Sequence, residues 1–372
     1  VPTADELINA KAVHALGTVL DGTETSAAAT WRSVHAAAEE LDSLTLSQRA
    51  RFVAAAIIHD GSSYSRLAAA TRSALSDPAL TGWMIWPLTE AVAAMATAGG
   101  HTAEFADGLD LLAALTPRLT SEFAIRTFLN VDLDRALAII SDWTTHDDDA
   151  VRRLSSEGTR PKLPWARQVP LLTSQPGRTR PILDALRRDE SEFVRRSVAN
   201  HLNDVSRLSA AAARDAAAAW LTAPDAHTAA LVRHGMRSLI KAGDVAALQL
   251  VGYTADLDRL RVRGPQLADT SVPFGDAITF TADITNTGGE VAILAIDYVI
   301  HHRKANGTTT AKTFKLTTKT LAAHQQTTIT RRHSFKPITT RRYHPGAHAV
   351  ELQINGRRWG HTEFELLAPG SR

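Results

Sequence analysis

There is no cysteine in this 372-residue chain. Disulfides and thiolate zinc sites are therefore excluded, and a reducing, intracellular setting is expected. No apolar run approaches the roughly twenty residues of a bilayer-spanning helix, so no membrane attachment is expected. The opening VPTADELINAKAV carries acids early and has neither the basic start nor the cleavage pattern of a signal peptide. It begins without methionine, and the true start is expected to lie elsewhere. Net charge is also nearly absent, at +2, but that figure averages unlike regions. Residues 1–151 carry 9 basic and 20 acidic side chains, residues 152–207 carry 12 and 6, residues 208–258 carry 4 and 5, and residues 259–372 carry 16 and 8. Two basic zones in an otherwise acidic protein point to a polyanion, most simply nucleic acid, held against part of the surface; chance clustering is the alternative.

The length calls for two or three folding units, and the code of the chain changes near residue 258. Before it, alanine- and leucine-rich segments such as SVHAAAEELD and DAVRRLSSEG have helical spacing, broken about every ten to fifteen residues by Gly, Pro, Asp or Ser. Val-Arg recurs at Val151-Arg152, Val194-Arg195 and Val232-Arg233, separations of 43 and 38 residues. Such spacing is close to that of HEAT-type helix pairs, so residues 1–257 are expected to form an α-solenoid rather than an irregular bundle. After residue 258, AITFTADITN, VAILAIDYVI, KTFKLTTKTL, QTTITRRHSF, AHAVELQING and GHTEFELL alternate with period two. With LRVRGP they make about seven strands, and Gly288-Gly289 and Asn355-Gly356 mark turns. Residues 258–372 are expected to form an immunoglobulin-like antiparallel β-sandwich without the Cys pair and core Trp of antibody domains.

Two stretches crowd charge onto helices. In FVRRSVANHLND, Val194, Val198, Leu202 and Val205 share the core sector of a helical wheel. Arg196, Asn200, Asn203 and Arg207 gather opposite, with Asp204 at the edge. Arginine and amides on one rigid face suit phosphate oxygens and sugar, but an acid ending the row is unfavourable there and needs its own reason; a solvated face with an incidental acid is the alternative. In HDDDAVRRLSSEGTRPKLPWA, Asp147 to Asp149 suit a helix start and Gly158 a left-handed helix stop. Asp149, Arg153 and Glu157 fall in one i,i+4 row. Prolines make Thr159 to Pro164 a stiff extended loop bearing Arg160, Lys162 and Trp165. The alternative is an exposed ion-pair row and a core tryptophan. The three acids have no downstream partners at a telling spacing, so no metal is expected.

VRRLSSEGTRPKLPWA and EFVRRSVANHLNDVSRLS, with SEFAIRTFLNVDLDRAL nearby, resemble the signature segments of the AlkC branch of the HEAT-like alkylpurine DNA glycosylases. The resemblance covers nearly the whole chain, since such proteins can carry an immunoglobulin-like domain after the helical repeats. It implies a monofunctional DNA glycosylase that removes cationic alkylated bases, chiefly 3-methyladenine and 3-methylcytosine, from double-stranded DNA without full base flipping. It also implies no cofactor, a monomer, and a cytoplasmic protein at the nucleoid when engaged.

Within that resemblance Glu157, Asp204 and Glu122 are the candidate catalytic carboxylates. Trp165 is the candidate aromatic contact, and Arg153 and Arg160 either bind phosphates flanking the lesion or orient Glu157. Lys162, Arg196 and Asn200 are further backbone contacts. In the sandwich, some of Arg331, Arg332, Arg341, Arg342, Arg357 and Arg358 are expected to reach phosphates, with edge protection by charge as the alternative. The competing function is a noncatalytic HEAT-type scaffold or structure-specific nucleic-acid binder, which would have no use for the acids.

Overall fold

The computed structural model describes residues 3–23, 30–338 and 341–370. The chain divides into two compact units, Val1–Gly235 and Met236–Arg372.

The first unit is helical. Leu46–Gly61 packs on Arg32–Ala37 and on Ile85–Ala98, which in turn packs on Thr102–Leu115; further along, Glu192–Leu208 packs on both Asp149–Glu157 and Thr228–Gly235. The recurring Val-Arg pair has a physical basis. Val151, Val194 and Val232 are buried on three of these helices. Arg152 Nη1 donates to the carbonyls of His146 and Asp147, at 2.9 and 2.8 Å, and Arg195 Nη1 donates to those of Asp189 and Glu190, at 2.6 and 2.8 Å. In these two repeats the arginine folds back on the loop that enters its own helix, satisfying carbonyls that the turn would otherwise leave unpaired, while Arg233 is exposed.

The second unit is a sandwich of eight strands: β1 (Leu260–Leu267), β2 (Ser271–Val272), β3 (Ala277–Asn286), β4 (Ala292–Arg303), β5 (Thr309–Leu321), β6 (Gln326–Ser334), β7 (Gly346–Ile354) and β8 (Arg357–Leu366). They form sheets of order β1-β3-β6 and β2-β8-β7-β4-β5. All pairings are antiparallel except the two-residue β2–β8 contact, a strand too short for periodicity to reveal. Alternate residues of β3 (Ile278, Phe280, Ala282, Ile284) face those of β4 (Leu294, Ile296, Tyr298, Ile300) and β7 (Val350, Leu352, Ile354) in one core. Asn355 and Gly356, both at positive φ, close the β7–β8 hairpin as their sequence predicts.

The compact division lies at Gly235/Met236, earlier than residue 257/258, where helix gives way to strand. The short helices Arg237–Ala242 and Val245–Leu250 dock on the β7–β8 turn. Gln353 Nε2 donates to the Lys241 carbonyl at 2.8 Å, and a Cβ on Gly243 would meet the Gly356 Cα. Asn355 Nδ2 donates to the Thr254 carbonyl at 2.8 Å, holding the following segment as well.

Three histidines lie in the sandwich core among Tyr298, Phe335 and Phe364. Burial pulls His302 down to about 3 and His333 to about 4, and it lowers His348. All three are therefore neutral in the fold and take up protons near the ordinary 6.5 once unfolded. The unfolded chain binds more protons below that value, so stability falls as pH drops from about 6.5 toward about 4. The thermal unfolding midpoint should be lower at pH 5 than at pH 7.5; a midpoint that holds or rises would contradict this.

Candidate active site

Three helices and one loop of the first unit bring the sequence-selected charges together. Asp149–Glu157 supplies Arg153 and Glu157 from its last turns, and its N-cap is Asp148, whose carboxylate accepts from Ala150 N at 2.8 Å. Glu192–Leu208 supplies Ser197 and Asp204 from a buried face. Glu122 precedes the helix Ile125–Val131. Arg160 comes from the loop that follows Gly158.

These groups form one alternating row. Glu122 Oε2 lies 2.9 Å from Arg153 Nη1, and Arg153 Nη2 lies 3.7 Å from Glu157 Oε1. Glu157 Oε1 accepts from Arg160 Nη1 at 2.7 Å, and Arg160 Nε donates to Asp204 Oδ2 at 2.8 Å. The second Glu157 oxygen accepts from the Ser197 hydroxyl at 2.7 Å. Three carboxylates and two guanidinium groups leave a net charge of −1 across the row. Glu157 and Asp204 are only 6% and 3% exposed. Burial works against the Glu157 charge, but Arg153, Arg160 and the Ser197 hydroxyl outweigh it and hold its carboxyl below the usual range.

The loop beyond Gly158 is fixed from beneath by Arg126. This side chain is fully buried and donates through Nη1 to the carbonyls of Gly158 (3.1 Å) and Arg160 (2.9 Å), and through Nε to that of Arg167. Burial, aided by nearby Arg160, pulls its guanidinium down to about 10. Asn130 Nδ2 adds a bond to the Gln168 carbonyl at 3.1 Å. His201 pins the helix below: its Nδ1 bonds the Ser156 carbonyl and its Nε2 the Thr179 hydroxyl, each at 2.8 Å. With both ends tied, the loop pushes Trp165 outward. The indole is 82% exposed and its backbone has φ +62°. A large residue in this left-handed region is strained by an amount on the order of 1–3 kcal/mol, the kind of outlier that collects at functional sites.

Several expectations are corrected. Gly158 is right-handed, with φ −65°; it is glycine because a Cβ would meet Ile125 Cγ2 at 2.8 Å. Asp149 leaves the i,i+4 row and accepts instead from the Ser191 hydroxyl at the start of the neighbouring helix, at 2.6 Å. Thr159 to Pro164 turns rather than running extended, with Arg160 N donating back to the Glu157 carbonyl at 3.2 Å. Asn203 is buried, not on an open polar face, since helices pack on two sides of Glu192–Leu208. Trp165 is not a core residue.

Other selected residues are dispersed. Lys162 is half-buried in the loop. Arg196 is exposed, pairs with Glu192 at 2.5 Å, and lines a groove with Arg195, His227 and His234; Asn200 is half-buried on the same helix. In the sandwich, Arg331 lies over the Tyr298 ring and Arg332 pairs with Asp276 on edge strand β6. Arg341 Nη1 lies 2.6 Å from His302 Nε2 near the end of β4, with exposed Arg342 beside it. Arg357 and Arg358 pair with Asp258 and Glu351 at the β7–β8 turn, next to Ile354, which is opposite Ile296. Six strand residues separate Ile296 from His302, roughly 20 Å, so the six arginines do not form one patch.

Arg126, Ser197 and Phe193 were not anticipated as site residues. Arg126 sits in an apolar helix, AIRTFL, where an unexplained charge is itself a signal. Phe193 is an exposed ring with the Arg153 guanidinium 4.7 Å from its centroid, an aromatic set against the row.

A family model described as the C-terminal Ig-like domain of the uncharacterised protein YhaZ matches residues 261–368. Uncharacterized protein YhaZ of Bacillus subtilis (strain 168) is 36% identical over 265 residues, 71% of this chain and 73% of that protein. The solved structure of Pseudomonas fluorescens alkylpurine DNA glycosylase AlkC, bound to DNA containing an abasic site analog, is similar with a TM-score of 0.82 at 31% identity. It covers 99% of this chain and 100% of that one.

Removing the central cation of the row should expose its electrostatic content. Arg160→Met leaves Glu157 and Asp204 buried without their shared partner and should lower stability by about 3 kcal/mol. Adding Glu157→Gln and Asp204→Asn should recover much of that loss. Urea unfolding at pH 7.5 checks both; an Arg160→Met chain as stable as the parent would show that the pairs are electrostatically idle.

Proposed function

Because the chain belongs to the AlkC family of alkylpurine DNA glycosylases, we propose that it hydrolyses the N-glycosidic bond of cationic alkylated bases in duplex DNA. The observation that carries this reading is the buried, anionic Glu157–Arg160–Asp204 cluster, whose Arg160 shares a loop with an outward-held tryptophan.

The chemistry matches such a cluster. A base alkylated at N3 of adenine or cytosine is positively charged and leaves as a neutral molecule, taking the electron pair of the glycosidic bond. No general acid is needed. The difficulty moves to the deoxyribose, whose anomeric carbon becomes oxocarbenium-like. A carboxylate already ionised and held by fixed donors stabilises that charge without reorganising, and such preorganised groups contribute about 3–4 kcal/mol each in comparable sites. The same carboxylate orients water for attack and accepts its proton. Glu157 is assigned the charge-stabilising role, Asp204 the neighbouring one, and Glu122 holds Arg153 in register.

Both cations paired with Glu157 are guanidinium groups, which stay protonated and are not nucleophiles. That favours hydrolysis by water over a Schiff-base route. The Trp165 face attracts a cationic nucleotide through its quadrupole. Its open position suits contact with a lesion that stays largely within the helix. Arg196 and Asn200, with the arginines of the sandwich, add affinity for the phosphate backbone and with it a dependence on salt. The sandwich is assigned an auxiliary role in DNA binding. No helix among the described residues is long and apolar enough to cross a membrane.

Release of free base from duplex DNA containing a single 3-methyladenine is the direct test, read by chromatography under single turnover. The wild-type chain should release the base and leave an intact abasic strand. Binding without release would place the protein among noncatalytic scaffolds instead. Trp165→Ala should slow release at least tenfold while the protein remains folded; an unchanged rate would remove the indole from the site.

A further inference from the structure

We propose that His301, Glu351 and His361 form a binding site for a divalent transition-metal ion on the outer face of the five-stranded sheet. The three residues come from adjacent strands β4, β7 and β8. Even-numbered residues of β4 from Ala292 to His302 point into the core, so His301 points outward, as does Glu351, opposite Val299 on β7. His361 stands opposite Glu351 when the register of the Ala347–Glu365 to Val350–Thr362 pairs is carried on by one residue. Just before His361, β8 carries one extra residue between the Leu352–Trp359 and Val350–Thr362 pairs. Gly360 has φ +62° at this bulge, and a Cβ there would meet the Gly264 carbonyl oxygen, so only glycine fits. Such bulges are common beside binding sites.

The geometry suits one ion. His301 Nε2 lies 3.0 Å from Glu351 Oε2 and His361 Nδ1 lies 3.1 Å from Glu351 Oε1. The three potential ligand atoms are all within 4.8 Å of one another. The two imidazole centroids are 5.3 Å apart at an interplanar angle of 61°. Two imidazoles bound to one tetrahedral ion at about 2.0–2.1 Å place their centroids roughly 5 Å apart, so small side-chain rotations suffice. Behind His361, its other nitrogen Nε2 lies 4.0 Å from Glu363 Oε1, outside hydrogen-bond distance but on the side where a carboxylate backs a metal-bound histidine. Glu351 is held between His301, His361 and Arg358, each with a nitrogen within 3.1 Å of its oxygens.

The opposing charge is Arg358, whose Nη1 lies 2.6 Å from Glu351 Oε2. It sits at the hairpin turn and is 42% exposed, so it can swing into solvent when a dication takes its place. Two imidazoles and one carboxylate favour zinc, cobalt or nickel over the hard oxygen-seeking ions magnesium and calcium. Three protein ligands leave a fourth position for water or another oxygen donor. An ion here would staple three strands of the sheet.

Titrating the untagged full-length chain with Zn²⁺ by calorimetry tests the site, with Mg²⁺ as the control ion. Wild type should bind one equivalent of zinc that His361→Ala loses or binds at least tenfold more weakly. Zinc should raise the wild-type thermal midpoint and leave that of His361→Ala unmoved. His361 is half exposed and its replacement leaves the fold intact, while Glu351→Gln serves as a second variant in which the same loss is expected. Co²⁺ should give visible absorption bands of a four-coordinate histidine-carboxylate site in wild type only. No saturable zinc binding, or equal stoichiometry and affinity in wild type and His361→Ala, would overturn the proposal.

Discussion

The sharing of one guanidinium by two buried carboxylates is the constraint on which the site depends. Arg160 bonds Glu157 through Nη1 and Asp204 through Nε, and these acids come from helices more than forty residues apart. Buried ion pairs are poor sources of net stability, because desolvation consumes most of the Coulombic gain, and apolar replacements are often as stable. A row of five such groups is therefore better understood as a device for keeping charge in place. It lets carboxylates stay ionised where water is scarce and where a developing sugar cation would feel them at low effective dielectric. Everything nearby supports that row: Arg126 fixes the loop that carries Arg160, His201 ties the helix ends, and Ser197 satisfies the remaining Glu157 oxygen.

Much of this was legible in the sequence. The switch from a helical to a two-residue period located the β-sandwich, and seven of its eight strands were visible as alternating runs. The Val-Arg repeat marked three helices on which the valine is in the core, and on two of them the arginine folds onto its own entry loop. Asp204 stood out because an acid is awkward at the end of a polar, basic face, and Glu157 because it sits between Arg153 and Arg160 in the most specific segment of the family resemblance. Their common partner Arg160 was visible as a loop cation, although its sharing of both acids was not.

What escaped had physical reasons. Arg126 donates to backbone carbonyls, and no residue pattern announces where carbonyls will converge. Gly158 looked like a helix stop because glycine so often is one, yet the demand comes from the Ile125 side chain packed against it. Asn203 looked solvent-facing on a single-helix wheel, which cannot know that other helices cover that side. His302 adjoins His301 on β4, and His348 shares β7 with Glu351, so only alternation along these strands separates the inward rings from the outward group. The sandwich arginines read as one basic zone because sequence proximity hides their separation along β4.

The central claim is that the charge of Glu157 and Asp204, rather than their shape, accelerates loss of the base. Single-turnover release from a 3-methyladenine duplex by Glu157→Gln and Asp204→Asn, with duplex affinity measured on the same preparations, tests it most directly. Each isosteric change should slow release by about a hundredfold or more, the loss expected for a preorganised electrostatic group, while duplex affinity stays within a few-fold of the parent. Release at the parental rate by both variants would contradict the account.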